Sequence, residues 1–311
     1  MGWFVRPVWL FDMKDLFERS ALEMLADPGA RVIPYAERYR TLGAHLGIDM
    51  GAVIATFDGL PLANDGPVHK ALRQSTAQYL GKMRPAVKAA LPTLVGRHMA
   101  PLATPGRVDV MPQVVRPLID ALTAVLTNVD HDFGPDSLVS RLFSQSMGPR
   151  KRMRLNAELS ALREAFQAVE PETLDERVTL AVLGRDAALG TVSLSLADHF
   201  EAVAGRPVNA ERFESVPTRT GVPYVDRVID GQDFRCRLQS LEGQEADVRQ
   251  NYFGKGAHLC LGRAITLDLF AEMARWLGGC TRRVRVVALE LRKDDVFHLP
   301  GVFRIEVSED E

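Results

Sequence analysis

The chain has 311 residues, of which 46% are hydrophobic and 25% charged, enough for one large core or two modest ones. Its formal net charge of -2 excludes a general nucleic-acid binder, which would carry a basic excess. Three widely spaced cysteines, Cys236, Cys260 and Cys280, form no CxxC pair, which excludes a disulfide framework or a structural zinc site and fits a reducing, cytoplasmic setting.

In chain order, Met1 to Met13 is aromatic and apolar but interrupted by Arg6 and Asp12, so neither a membrane anchor nor a signal peptide is expected there. Gly51 to Leu62 is expected among the loops that set substrate identity, and within it Gly51 to Ala55 suits either an apolar pocket wall or a core helix. Residues 67–96 read as a helix opened by Pro67, and residues 114–129 as a second with Leu118, Ile119, Leu122, Val125, Leu126 and Val129 on one face. Asp130, His131, Asp132 and Asp136 form an acidic turn better suited to capping and water than to a metal. The basic run Arg150 to Arg154 reads as a solvated loop, with docking of an acidic redox protein as the alternative. Residues 174–203 form a long apolar helix of the kind that runs through a core. Val222 to Phe234 reads as strand and turn, residues 260–277 as helix, and Val284 to Val307 as a hairpin turning at Pro300-Gly301. The fold class is therefore mainly α with a small β portion (α+β), in one domain spanning residues 1–311.

The stretch that carries chemistry is Phe253-Gly254-Lys255-Gly256-Ala257-His258-Leu259-Cys260-Leu261-Gly262. It is a glycine-punctuated turn delivering a cysteine to the first turn of an amphipathic helix, where unpaired N–H groups and the helix dipole favour thiolate. Gly256 permits backbone geometry closed to larger residues, Gly262 admits a flat partner, Phe253 shields the sulfur, and His258 reaches the partner's edge. A GxGxxG dinucleotide loop fits less well, because Leu259 stands at the third glycine.

This loop resembles the haem-ligand loop of the cytochrome P-450 family, F-x-x-G-x-H-x-C-x-G, matched by Phe253, Gly256, His258, Cys260 and Gly262. The resemblance implies a shortened P-450-like fold holding haem b, with Cys260 as the axial thiolate. His69 and Arg73, four residues apart, resemble the family's propionate-binding pair at the start of a helix, and Arg227 resembles a third propionate contact. Leu183 to Ala188 resembles the helix on the oxygen side. Asp186 matches that helix's acid, but Ala187 stands where threonine is expected, and Thr191 one turn later is the substitute donor.

Other departures are visible. No Glu before Pro223 is followed three residues later by Arg; Glu211, Glu214 and Arg219 lie nearby at other spacings. The implied activity is oxidation of a small organic molecule, in the manner of a monooxygenase, with electrons from a ferredoxin-type partner and a place in specialised-metabolite synthesis. Ala187 keeps two alternatives open: a peroxide-dependent or non-oxygenating haem-thiolate enzyme, and a non-catalytic haem-binding or partner protein.

Overall fold

The computed structural model describes residues 13–134, 137–144, 147–292 and 296–309. The described part begins with strand β1 (Lys14–Phe17) and helices α1 (Glu18–Ala26), α2 (Tyr35–Leu46) and α3 (Gly51–Gly59). Helix α4 (Gly66–Met99) opens with Pro67 in its first turn and contains Pro85 and Pro92. Strand β2 (Gly106–Asp109) and a π-turn over Met111–Val115 lead into α5 (Arg116–Thr127). Helix α6 (Pro149–Gln167) follows, then α7 (Leu174–Thr179), a π-turn at Leu180–Gly184 and α8 (Arg185–Val203). Hairpin β3 (Tyr224–Ile229) and β4 (Gln232–Arg237), the short α9 (Ala246–Arg249), α10 (Arg263–Gly278) and hairpin β5 (Arg283–Leu291) and β6 (Pro300–Ser308) complete it.

Two small sheets, ordered β1-β4-β3 and β2-β6-β5, flank the helices. The mainly α architecture is the expected one. The larger core joins α4, α5, α8 and α10 to the inner face of β6, where Phe303, Ile305 and Val307 are buried as their alternation requires. A second core gathers α2, α3 and α6 around the ring cluster of Tyr35, Phe57 and Phe143. Pro171–Val203 is long and apolar enough to cross a membrane by composition, but 72% of its most apolar window is buried, as in a core helix.

Three sequence expectations are corrected. Pro300 and Gly301 open β6 rather than forming the hairpin turn: Pro300 pairs with Leu291, and the Arg292 N–H donates to the Leu299 carbonyl at 2.8 Å, placing the connection before them. Proline is tolerated as a first strand residue because its missing donor costs no ladder bond there. The basic run is helical, not a loop, since Pro149 starts α6; Arg152 is buried, donating to the Met147 carbonyl and the Tyr39 hydroxyl. The residues from Gly51 form a core helix, with Val53 and Phe57 fully buried. Asp136 and the first twelve residues lie outside the described part of the chain, and no cluster of three metal-ligating side chains occurs among the described residues.

Candidate functional site

A cavity of about 320 Å³ lies between the cysteine loop on one side and α8 on the other. The loop is shaped by its glycines. Gly254 and Gly256 have φ of 78° and 64°, a region that strains other residues. At Gly256 a Cβ would also lie 2.9 Å from the Leu25 carbonyl oxygen, so the glycine lets the loop sit against the end of α1. The Cys260 N–H donates to the Phe253 carbonyl at 2.7 Å, closing the turn.

Cys260 precedes α10 rather than lying in its first turn, since the helix begins at Arg263. Its exposed surface is cavity wall, not bulk solvent: the residue lines the cavity and its thiol is enclosed by protein. Burial pushes the thiol pKa up, while the Gly262 and Arg263 N–H groups and the Arg73 guanidinium pull it down. A cationic metal at the sulfur would tip this balance to thiolate. A Cβ on Gly262 would touch only the sulfur, at 3.8 Å, so protein leaves the space beside it open for a flat group.

Beside the thiol, α4, β3 and the loop bring basic groups to one rim: His69, Arg73, Arg227 and His258 all line the cavity. The His69 and His258 rings lie against each other, 4.1 Å between centroids and tilted by 32°. Burial, then the neighbouring arginines, pushes the imidazoles towards their neutral forms, His258 down to about 4. Arg227 is 3% exposed, and its Nη1 donates to the Asp226 carbonyl at 2.9 Å. Asp65 is the acid of the rim, 3.5 Å from His258 Nε2, and also caps the Val32 N–H at 2.8 Å. His69 Nε2 is buried with no hydrogen-bond partner. With the other nearby carboxylate, Asp226, held by Arg235 at 2.9 and 3.0 Å, Asp65 alone faces two guanidiniums and two imidazoles, and with an orphaned ring nitrogen the rim fits a bound group with acidic substituents.

The opposite wall is apolar. Leu180, Leu183, Gly184, Ala187 and Ala188 face the cavity from the π-turn and α8, with Phe297 and Val222 beside them. Thr191 also lines it, and its Oγ1 accepts the Gly221 N–H at 3.0 Å. Asp186, expected on this face, is not among the lining residues. It borders a separate polar pocket of about 20 Å³ with Arg116, Arg185 and Arg292. The helical phase explains this: Thr191 follows Ala187 by about 40° around the axis, whereas Asp186 is about 100° off.

Asp186 is 2% exposed and pairs with Arg185 at 2.8 Å, yet its pKa is pushed up to about 6. Burial outweighs the ion pair, because Arg185 is shared with Asp120 at 2.6 Å. A carboxyl raised in the folded state favours its neutral form, so stability falls as pH climbs from about 4 through 6. Asp186→Asn should remove that fall. Its stability relative to wild type should rise by about 2 kcal/mol between pH 4.5 and 7.5 in urea melts, against no pH-dependent difference if the ion pair dominates.

Arg249, a buried residue four positions before Phe253 that does not line the cavity, carries no local signal in the sequence. It is 5% exposed and donates to the carbonyls of Gln244, Val216 and Pro217 and to the Glu214 carboxylate. Arg219 pairs instead with Glu242 at 2.7 Å and Asp198 at 3.3 Å. Glu214 is thus paired with an arginine 35 residues on. A pairing across that distance leaves no local sequence signal.

An enclosed cysteine sulfur, a basic rim and an apolar facing helix fit the requirements of a large, flat, acidic cofactor with a sulfur ligand. The fold carrying this site is the cytochrome P450 fold. It is similar to P450BioI, solved with an acyl carrier protein bearing hexadec-9Z-enoic acid, at a TM-score of 0.67 and 12% identity over 93% of this chain and 89% of that one. CalO2 is similar at a TM-score of 0.68 and 15% identity, covering 94% and 90% of the two chains. A thermophilic cytochrome P450 from Sulfolobus tokodaii is similar at 0.64 and 16% identity, covering 99% and 98%. No family model and no curated protein matches the sequence.

Proposed function

We propose that the chain is a haem-thiolate oxidoreductase that oxidises a small, largely apolar organic molecule. The observation that carries this reading is the Cys260 thiol opening into the cavity beside His69, Arg73, Arg227 and His258, opposite the apolar face of α8. Cys260 would ligate the iron, the rim would bind the propionates, and Phe253, Gly256 and Gly262 would shape the sulfur's surroundings. Bound there, a haem with a thiolate ligand supplies electron density that favours O–O bond cleavage. The protein's own part is to hold the sulfur with two backbone donors, exclude water with apolar side chains, and place substrate against Ala187 and Ala188. Electrons would come from a ferredoxin-type partner.

One observation favours a second reading. Position 187 has no hydroxyl, Asp186 lies off the cavity face, and the hydroxyl of this wall nearest to Ala187 is that of Thr191 one turn on, which accepts the Gly221 N–H and keeps its own O–H to donate. Proton supply from this wall therefore rests on Thr191, substrate or water. That arrangement suits peroxide use or chemistry without dioxygen, which turnover with peroxide and no reductase would reveal.

The reduced, carbon monoxide-treated protein should show the red-shifted Soret band of a thiolate-ligated haem, and Cys260→Ser should lose it. Protein that takes up no haem when haem is supplied during expression would overturn the reading.

A further inference from the structure

The cavity face of the helical wall formed by α7, the π-turn and α8 carries two hydroxyls, Thr179 and Thr191. Thr191 already has a partner, accepting the Gly221 N–H at 3.0 Å. Thr179, the last residue of α7, is 8% exposed and lines the cavity, yet its Oγ1 is buried without a hydrogen-bond partner. Other buried helical threonines satisfy themselves by donating to the carbonyl four residues back: Thr56 to Ala52, Thr76 to Leu72, Thr123 to Ile119 and Thr127 to Thr123, at 2.7 to 2.9 Å. Thr179 makes no such bond. Its helix passes directly into a π-turn, a local change of register common at functional sites. A buried hydroxyl without a partner is costly, and such a group in a cavity wall points to a partner that arrives with the ligand.

The charged cavity residues, Arg73, Arg227, Asp226, Lys255 and the two histidines, come from α4, β3 and the cysteine loop; this helical wall contributes none. A carboxylate or ammonium at Thr179 would be buried beside apolar side chains without a counter-charge, which is strongly disfavoured. An uncharged oxygen fits, because a threonine hydroxyl both donates and accepts. Thr179 precedes Ala187 by eight residues, a separation of roughly 12 Å along a helix.

We infer that Thr179 anchors the substrate through a neutral hydroxyl or carbonyl oxygen. The substrate is then an elongated apolar molecule whose one oxygen function lies roughly 12 Å from the carbon presented at Ala187. The position of the reacting carbon rests on the haem-thiolate reading; the hydrogen bond at Thr179 does not.

The test uses haem-loaded protein and two probes of one apolar body, decan-1-ol and decane, with dissociation constants from calorimetry and from the Soret shift. Thr179→Val keeps the shape and removes the hydroxyl. It should weaken decan-1-ol about three- to tenfold, leave decane within about twofold, and leave the thermal midpoint equal or higher. Thr179→Ser should restore most of the alcohol affinity. Equal changes for both probes, an unchanged alcohol affinity in the valine variant, or no binding of decan-1-ol to wild type would overturn the assignment. Wild-type protein without a thiolate Soret band whose calorimetric alcohol preference still depends on Thr179 would remove the haem reading and leave the anchor standing.

Discussion

Gly221→Ala should destabilise the protein by about 3 kcal/mol or more and cut haem uptake, although it adds a single methyl group. The added Cβ would lie 2.4 Å from the Ala187 carbonyl oxygen and 2.6 Å from the Thr191 backbone nitrogen. Both obstacles are main chain of α8, which cannot rotate aside as a side chain would. The neighbouring contact is as tight: a Cβ on Gly190 would lie 2.3 Å from the His298 carbonyl oxygen and 2.7 Å from Gly221 Cα. Two backbones thus meet at a pair of glycines, directly behind the cavity face of α8. Forcing them apart moves Ala187 and Thr191 and breaks the Gly221-to-Thr191 hydrogen bond. Urea melts with haem titration would show it, with Gly81→Ala as the control. Gly81 lies inside α4 with nothing within 4 Å of the added carbon, so alanine there should stabilise by about 0.5–1 kcal/mol through backbone entropy. Equal effects at the two sites would show that the helix-to-loop contact at Gly221 is soft.

That contact also marks what the sequence could disclose. The cysteine loop was legible because its requirements are local: the positive φ at Gly256 and the donors behind Cys260 arise within ten residues. The basic rim of the cavity was legible in part. Helical spacing places His69 and Arg73 on one face, but only the fold brings Arg227 and His258 to them. The Gly190–Gly221 contact joins a helix to a loop 31 residues on, and neither glycine stands in a turn that would single it out. Asp186 was read for its residue type and neighbours. Its phase on α8 directs it to the small polar pocket with Arg116 and Arg185. Helix α6 was hidden by the charge of Arg150 to Arg154, because four of those five residues face solvent while Arg152 alone is buried among polar partners.

The same long-range logic predicts the second large effect, at Arg249. Its guanidinium donates to the carbonyls of Gln244, Val216 and Pro217 at 2.9, 3.2 and 2.7 Å, and to Glu214. These acceptors tie the segment before β3 to the turn that leads into the cysteine loop. Tyr252 adds a second tie, its hydroxyl donating to the Thr218 carbonyl at 3.2 Å. Arg249→Ala would leave three buried or half-buried carbonyls short of a donor, a loss of about 3 kcal/mol. The loop holding Phe253 and Cys260 would lose its fixed position, and haem content should fall in parallel. Glu214 offers a sharp contrast, because its side chain is 48% exposed and water can take the arginine's place. Glu214→Gln should therefore cost less than about 1 kcal/mol and leave haem uptake intact. If the two variants lose stability equally, the ion pair and not the carbonyl clamp holds the loop. If neither changes haem content, the loop is positioned by its own glycine turns and by Gly256 against α1.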